Sequence, residues 1–482
     1  MHILSIDQGT TSTRVIAFNC ETGVPDYIAQ KEHGVKSEKP GWASVCASEI
    51  WSNTVHCLKE VSEHVDNVVC CGLTNQRETL VIWDKNTGKP IYDSILWSDA
   101  RTNGIVDRIV NKNGSRCVAD QTGLIVSTYF TAMKIVWAYE NVQEVKEAID
   151  GGECLLGTVD CWLCWKLTGN HYTDVTNASR TMLLDIKTME WDLGLFTKLD
   201  VPHAVLQCLP SVKASSANFG TIQLDVFNGV KLTSLIGDQQ AALVGQYCFE
   251  PGDFKCTYGT GAFCLLNIGS EARTSKHGML TTIAYQEEGS APVYAFEGSV
   301  AVCGSAIGWM RDNLCLFDSV KDIEPLINSV ESNSGVVFIP ALNGLLAPYW
   351  CPTARAEFVG LSQYTKKAHL IRAVIESIAF QVYDVVKIME EESGKVVRIM
   401  KVDGGVTNST FMCQFQADLL KIQLQKASMK ERTALGAAIM AGKFVDCEIQ
   451  EVTGMMTVEP SEMDVGPKIK TWKSAINRAI GN

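Results

Sequence analysis

The chain has 482 residues, 46% hydrophobic and 20% charged, with 38 glycines and 13 prolines spread along it; this usage excludes disorder, collagen and coiled coil as the main architecture. Length alone suggests two large domains or about three smaller ones. Lys plus Arg number 42 against 54 Asp plus Glu, a net charge of −12, so no basic field exists to gather nucleic-acid phosphates or anionic lipid.

The opening ILSIDQGTTSTRVIAF reads as a strand (Ile3 to Ile6), a polar Gly/Thr/Ser turn and a second strand (Val15 to Phe18), with Asp7 at the mouth of the hairpin. Its first residues lack a basic region followed by an apolar stretch, and no apolar run approaches the about 18 residues of a membrane span. The expectation is a cytoplasmic protein with no membrane span, its 18 cysteines reduced. Apolar residues at i, i+3, i+4 spacing predict a helix over Ala47 to Val65, and Val68 to Leu73 reads as a strand. Cys161 and Cys164 form a CxxC, but Trp162, Leu163 and Trp165 make the segment read as a buried helix carrying core thiols rather than a metal or redox pair.

Turn chemistry at Phe249-Glu250-Pro251-Gly252-Asp253 marks a boundary. Beyond it KCTYGTGAFCLLNI, from Lys255, again runs strand, Gly/Thr turn, strand, which suggests two similarly built α/β halves, residues 1–247 and 248–482. Val336 to Ile339 reads as a strand and His369 to Met389 as an amphipathic helix. RIMKVDGGVTNST, from Arg398, carries an apolar strand into Asp-Gly-Gly and then a helix. GAAIMAGKF, from Gly436, is one residue too long for a P-loop and has Phe where a hydroxyl is needed; it reads as a small-residue helix packed closely on a neighbour. GxSxG and HExxH are also missing, which disfavours serine hydrolase and zinc chemistry.

What remains is a set of Gly/Thr/Ser turns able to hold phosphates, combined with acids placed directly after apolar strands. Asp7 precedes Gln8-Gly9-Thr10-Thr11-Ser12, as a magnesium site beside phosphates requires, and Asp238 in LIGDQQAA could serve as a general base. Helix capping explains either acid equally well from pattern alone.

Seven strings in register, DQGTTSTR, TNQRET, GTVDCWLCWKLT, TDVTNASRTML, GDQQAALVGQ, TYGTGAF and VDGGVT, resemble the glycerol kinases of the FGGY carbohydrate kinase family. So do the longer stretches YFTAMKIVWAYEN and EFVGLSQYTKKAHLIRAVIESIAF, and the likeness covers roughly residues 3 to 445. The resemblance implies an α/β fold of two actin-like ATPase (ribonuclease H-like) domains, each on a five-stranded sheet, flanking a catalytic cleft. It implies ATP-dependent phosphorylation of glycerol to sn-glycerol 3-phosphate, with ATP and Mg²⁺ as cofactors and a homodimer or larger assembly. Arg77, Glu78, Asp238 and Gln239 match glycerol-binding residues, and Trp97, Tyr129 and Phe263 match the pocket walls. Thr10, Thr11, Ser12, Arg14, Thr260, Gly304, Gly405 and Ser409 fall on nucleotide contacts. Asp7 and Asp238 match the carboxylates near Mg²⁺, and Asp238 the catalytic base.

These residue types suit a triol, whose three hydroxyls need donors and acceptors while its carbon edge needs a flat apolar wall. An exposed Arg77–Glu78 ion pair and ordinary core roles for Trp97 and Phe263 are the simpler structural alternatives. The sequence departs from the family pattern at Gly308, where a glutamine near the adenine is usual, and at Asn408-Ser409, where the expected asparagine is displaced by one. GWASVCASEI lacks the family's acidic and histidine residues, a change without a physical account.

Overall fold

Ile3, Leu4 and Ile6 are fully buried, as a central strand covered on both faces demands. The structure, a computed structural model, describes residues 1–342, 344–452 and 454–481. The opening strand, His2–Gln8, pairs antiparallel with Ser12–Asn19 and parallel with Val68–Asn75. From one edge to the other, a six-stranded sheet runs Ser216–Thr221, Lys231–Gly237, Val68–Asn75, His2–Gln8, Ser12–Asn19, Pro25–Glu32. The predicted hairpin is therefore present but longer. Asp7 is a ladder residue opposite Arg14, so the helix-cap alternative for it falls away.

The second Gly/Thr hairpin, Phe254–Tyr258 with Ala262–Gly269, anchors a seven-stranded sheet in the same way. Its order is Leu280–Tyr285, Val293–Val300, Ala262–Gly269, Phe254–Tyr258, Ile399–Asp403, Gln423–Ala427, Met455–Val458. In both sheets three antiparallel strands are followed by two parallel ones, the five-stranded unit the resemblance implies. Each sheet is wider than five because antiparallel strands cap its edges: Ser216–Thr221 in the first, Leu280–Tyr285 and Met455–Val458 in the second. Added edge strands satisfy backbone groups that would otherwise be open to pairing with another chain.

Helices complete the layers. Ala47–Ser62 packs on the first sheet through Ile50, Cys57, Leu58 and Val61, and the 27-residue Lys367–Ser393 covers the second. Val159–Thr168 buries Cys161, Trp162 and Cys164, and all cysteines are free thiols, so the CxxC is core. The small-residue reading of the segment from Gly436 also holds. Arg432–Phe444 crosses Asp238–Gly245 so closely that a Cβ on Gly436 would collide with the Ala241 carbonyl, and one on Gly245 with that of Arg432. No helix among the described residues is long and apolar enough to cross a membrane.

Candidate active site

The strand Lys231–Gly237 ends at the cleft and hands the chain to the helix Asp238–Gly245. Gly237 stands at the junction because a Cβ there would lie 2.8 Å from Cδ of Arg77; only hydrogen leaves room for that side chain. Asp238, at the first helical position, accepts the Gln239 amide at 2.7 Å through Oδ1, which also lies 3.2 Å from Arg77 Nε. Its side chain is about 31% open to the cleft, more than a purely capping acid needs. Burial raises its pKa above the ordinary carboxylate value, Arg77 and Lys255 oppose the shift, and Asp7 adds to it.

Arg77 and Glu78 follow the strand Val68–Asn75 in a tight turn in which Glu78 takes φ +60°. They are not an exposed ion pair. Both are buried, and the closest approach of Arg77 Nε to Glu78 is 3.9 Å. Each pairs elsewhere: Arg77 donates to Glu297 at 2.6 and 3.0 Å, and Glu78 accepts from Arg180 Nε at 2.6 Å. Arg180 in turn reaches Glu297 at 3.0 Å. The two guanidiniums outweigh burial and hold the Glu297 carboxyl down at about 2. Behind Gln239, fully buried Lys255 donates to its Oε1 at 2.5 Å, which turns the amide NH₂ end of Gln239 toward the cleft. Burial lowers the pKa of this lysine, against the pull of Asp403 and Asp238.

Above these groups stand three aromatic rings. Trp97 meets Tyr129 at 5.7 Å and Phe263 at 6.3 Å between centroids, both edge to face. The Trp97 indole donates to Thr10 Oγ1 at 3.0 Å, which ties the wall to the first hairpin turn. Trp97 and Phe263 are only partly buried and line a cavity of 160 Å³ together with Thr10, Arg77, Glu78, Tyr129, Asp238, Gln239, Thr260 and Gly261. All seven residues matched to the substrate pocket thus meet in one small polar chamber.

A second, larger cavity of 820 Å³ opens beside Arg14, Asp403, Gly405, Lys426, Lys430 and Glu431. Arg14 links the two halves of the chain, reaching Asp7 and Glu431 at 2.5 Å each. Asp7 is nearly buried, and burial raises its pKa against the pull of Arg14. Of the residues matched to the nucleotide, Thr10 and Thr260 line the small chamber, while Arg14 and Gly405 line the large one. Thr11, Ser12, Gly304 and Ser409 line neither. The Ser409 hydroxyl donates to Glu324 at 2.6 Å and accepts the Met412 amide, capping the helix Thr410–Leu420. The Gly304 amide bonds the Gly259 carbonyl at 2.9 Å and opens the helix Gly304–Asp312.

Profiles of the FGGY family of carbohydrate kinases match residues 2–245 with its N-terminal domain and residues 254–444 with its C-terminal domain. The chain belongs to this family. It is 41% identical to a glycerol kinase of Brucella anthropi, over 99% of this chain and 98% of that one. It is also 41% identical to glycerol kinase 2 of Thermotoga maritima, over 100% and 99%. Among solved structures it is similar to Plasmodium falciparum glycerol kinase with ADP, with a TM-score of 0.92 and 35% identity over 100% of this chain and 98% of that one. The two-domain α/β architecture is that of the FGGY kinases.

Three charged residues packed around the chamber carried no assignment from sequence: Arg180, Lys255 and Glu297. For two of them the signal was a charge inside an apolar strand, FKCTY for Lys255 and VYAFEGSV for Glu297; Arg180, in a turn, carried none. A charge in a strand covered on both faces demands a buried partner of opposite sign.

Proposed function

We propose that this chain is an ATP-dependent glycerol kinase that phosphorylates a terminal hydroxyl of glycerol to give sn-glycerol 3-phosphate. The observation that carries this reading is the 160 Å³ chamber, in which Arg77, Glu78, Asp238 and Gln239 face one another under Trp97, Tyr129 and Phe263. The volume suits three carbons and their hydroxyls, and every polar wall group is a donor or acceptor suited to a hydroxyl. Asp238 is the general base, taking the proton of the attacking hydroxyl as the phosphoryl group transfers. The relatives named as glycerol kinases support the substrate.

ATP occupies the larger cavity in this reading, with Gly405 beside the nucleoside and Arg14 on the phosphates, which extend toward the small chamber and the hairpin turns that bear Thr10, Thr11, Ser12 and Thr260; Gly304, which lines neither cavity, is a nucleotide contact by resemblance only. Among the described residues no three His, Cys, Asp or Glu side chains converge as a metal cage. The residues nonetheless fit Mg²⁺: Asp7 is engaged through Oδ2 and Asp238 through Oδ1, so each has a second oxygen for a cation whose remaining ligands are phosphate and water. Such an ion neutralises charge developing on the phosphates. The reading includes two lobes, 1–247 and 248–482, a cytoplasmic location and a homodimer or larger assembly.

The test is a polyol panel with ATP, following ADP release and product identity. Glycerol is expected to exceed erythritol, xylitol and D-xylulose in kcat/KM by at least about 10²-fold. Preference for a five-carbon substrate would overturn the reading.

A further inference from the structure

Glu297 lies outside the chamber, yet it is fully buried and makes three short contacts with two arginines. We propose that Glu297 is a positioning residue for the substrate chamber: from the second sheet it clamps Arg77 and Arg180, and through them fixes Arg77 and Glu78 of the first lobe. The inference rests on the glycerol reading above.

The geometry forms one continuous chain of charges. Glu78 is held by Arg180 Nε, Arg180 Nη2 by Glu297 Oε1, and both terminal nitrogens of Arg77 by the same carboxylate. Arg77 thus meets Glu297 as a bidentate fork, the arrangement that fixes a guanidinium in plane as well as in place. Its other contacts are longer, 3.2 Å to Asp238, 3.3 Å to Gln240 and 3.4 Å to Tyr129 OH. Of these partners Asp238 and Tyr129 line the substrate chamber, so a hydroxyl can replace or share those two contacts without disturbing the fork.

The pairing of the buried charges supports the clamp. Arg77 and Arg180 share Glu78, Glu297 and the more open Asp238, while nearby Lys255 is drawn by Asp403 as well as by Asp238 and Glu297. Without the Glu297 charge, the anions nearest to Arg77 are Asp238 and Glu78. Arg77 would turn toward them and fill the space a substrate needs. Because Glu297 sits on the strand Val293–Val300 while Arg77 and Glu78 follow Val68–Asn75, the chamber is complete only with the lobes in contact.

The experiment compares Glu297→Gln and Glu297→Asp with the native enzyme in steady-state kinetics and in melting with and without glycerol. The glutamine variant is expected to raise KM for glycerol at least 30-fold while KM for ATP stays within threefold, and to lose the glycerol-induced rise in Tm. The aspartate variant, which keeps the charge, should recover most of the loss. If Glu297→Gln does not fold, Arg180→Lys decides: loss of the Nε bond to Glu78 should raise KM for glycerol about tenfold with KM for ATP unmoved. Glycerol KM within threefold of native in a folded variant, or equal loss toward both substrates, would overturn the proposal. A native enzyme that does not turn over glycerol at all would instead overturn the glycerol reading.

Discussion

Replacing Asp238 by asparagine keeps the size and hydrogen-bonding outline of the side chain but removes its charge and its ability to accept a proton. Positioned general-base catalysis contributes about 10² to 10⁴ in rate, so kcat should fall at least about 10²-fold, or about 2.7 kcal/mol of barrier. Glycerol affinity should change far less. The ligand is neutral, and Arg77 remains clamped by Glu297 at 2.6 and 3.0 Å whatever stands at position 238. The pH profile adds an independent reading. Burial raises the Asp238 pKa, and the catalytic form is the carboxylate, so activity is complete above that raised pKa and is lost as pH falls through it. The acid limb of kcat/KM for MgATP, which reports the enzyme before the cation binds, should therefore lie above the ordinary carboxylate range of about 4, and should disappear in the asparagine variant. Steady-state kinetics with both substrates between about pH 5 and 9 would measure both effects. A variant with kcat within tenfold of native, or one keeping the same acid limb, would remove Asp238 from the role of base.

Truncating Trp97 to alanine removes the wall between the two other rings and the indole bond to Thr10; KM for glycerol should rise at least about tenfold and the preference over erythritol should shrink by a similar factor, read from kcat/KM on both polyols. Nucleotide choice should be loose: a Cβ on Gly308 would touch nothing but Asp312, and the Ser409 hydroxyl is committed to Glu324 and a helix cap, so kcat/KM for ATP, GTP and CTP should fall within about 10³-fold, or about 4 kcal/mol. Asp160 is a buried carboxyl pushed up to about 7 by burial and by Asp174. Its folded state holds the proton more tightly than the unfolded chain, so its contribution to stability is lost as pH rises from about 4 through about 7. Asp160→Asn should remove that loss, so its stability relative to native should rise between about pH 5 and 7, by at most about 1.4 kcal/mol per pH unit, seen as a Tm difference that shifts in the variant's favour with pH; a constant or opposite trend would refute the assignment.

The legible part of this molecule is the part in which local sequence and local geometry coincide. The two Gly/Thr hairpins could be read because a strand, a polar turn and a strand lie side by side in sequence, and Gly259 N to Gly261 O and Gly9 N to Ser12 O close the turns within four residues. The pocket walls were reachable only through family likeness, since Trp97, Tyr129 and Phe263 come from three distant segments and alone look like core. The Arg77–Glu78 dipeptide misled the simple reading for the same reason. Adjacent opposite charges suggest a pair, but positive φ at Glu78 turns the two side chains apart, and their partners lie 102 and 220 residues away.

Capping, the even alternative for both acids, fits only one of them. Asp7 sits in a strand, while Asp238 begins a helix and accepts the Gln239 amide; the charges that perturb both come from elsewhere in the chain, Glu431 through Arg14 in one case and Lys255 in the other. Burial itself imposes a rule that pattern reading omitted. An isolated charge in a dry interior costs several kcal/mol, so the buried guanidiniums of Arg77 and Arg180 needed buried anions, and Glu78 meets only Arg180 closely. The shared counter-charge comes from an apolar strand of the other sheet. Among the strand residues of VYAFEGSV only Glu297 could supply it, which ties the substrate chamber to the packing of one lobe against the other rather than to either lobe by itself.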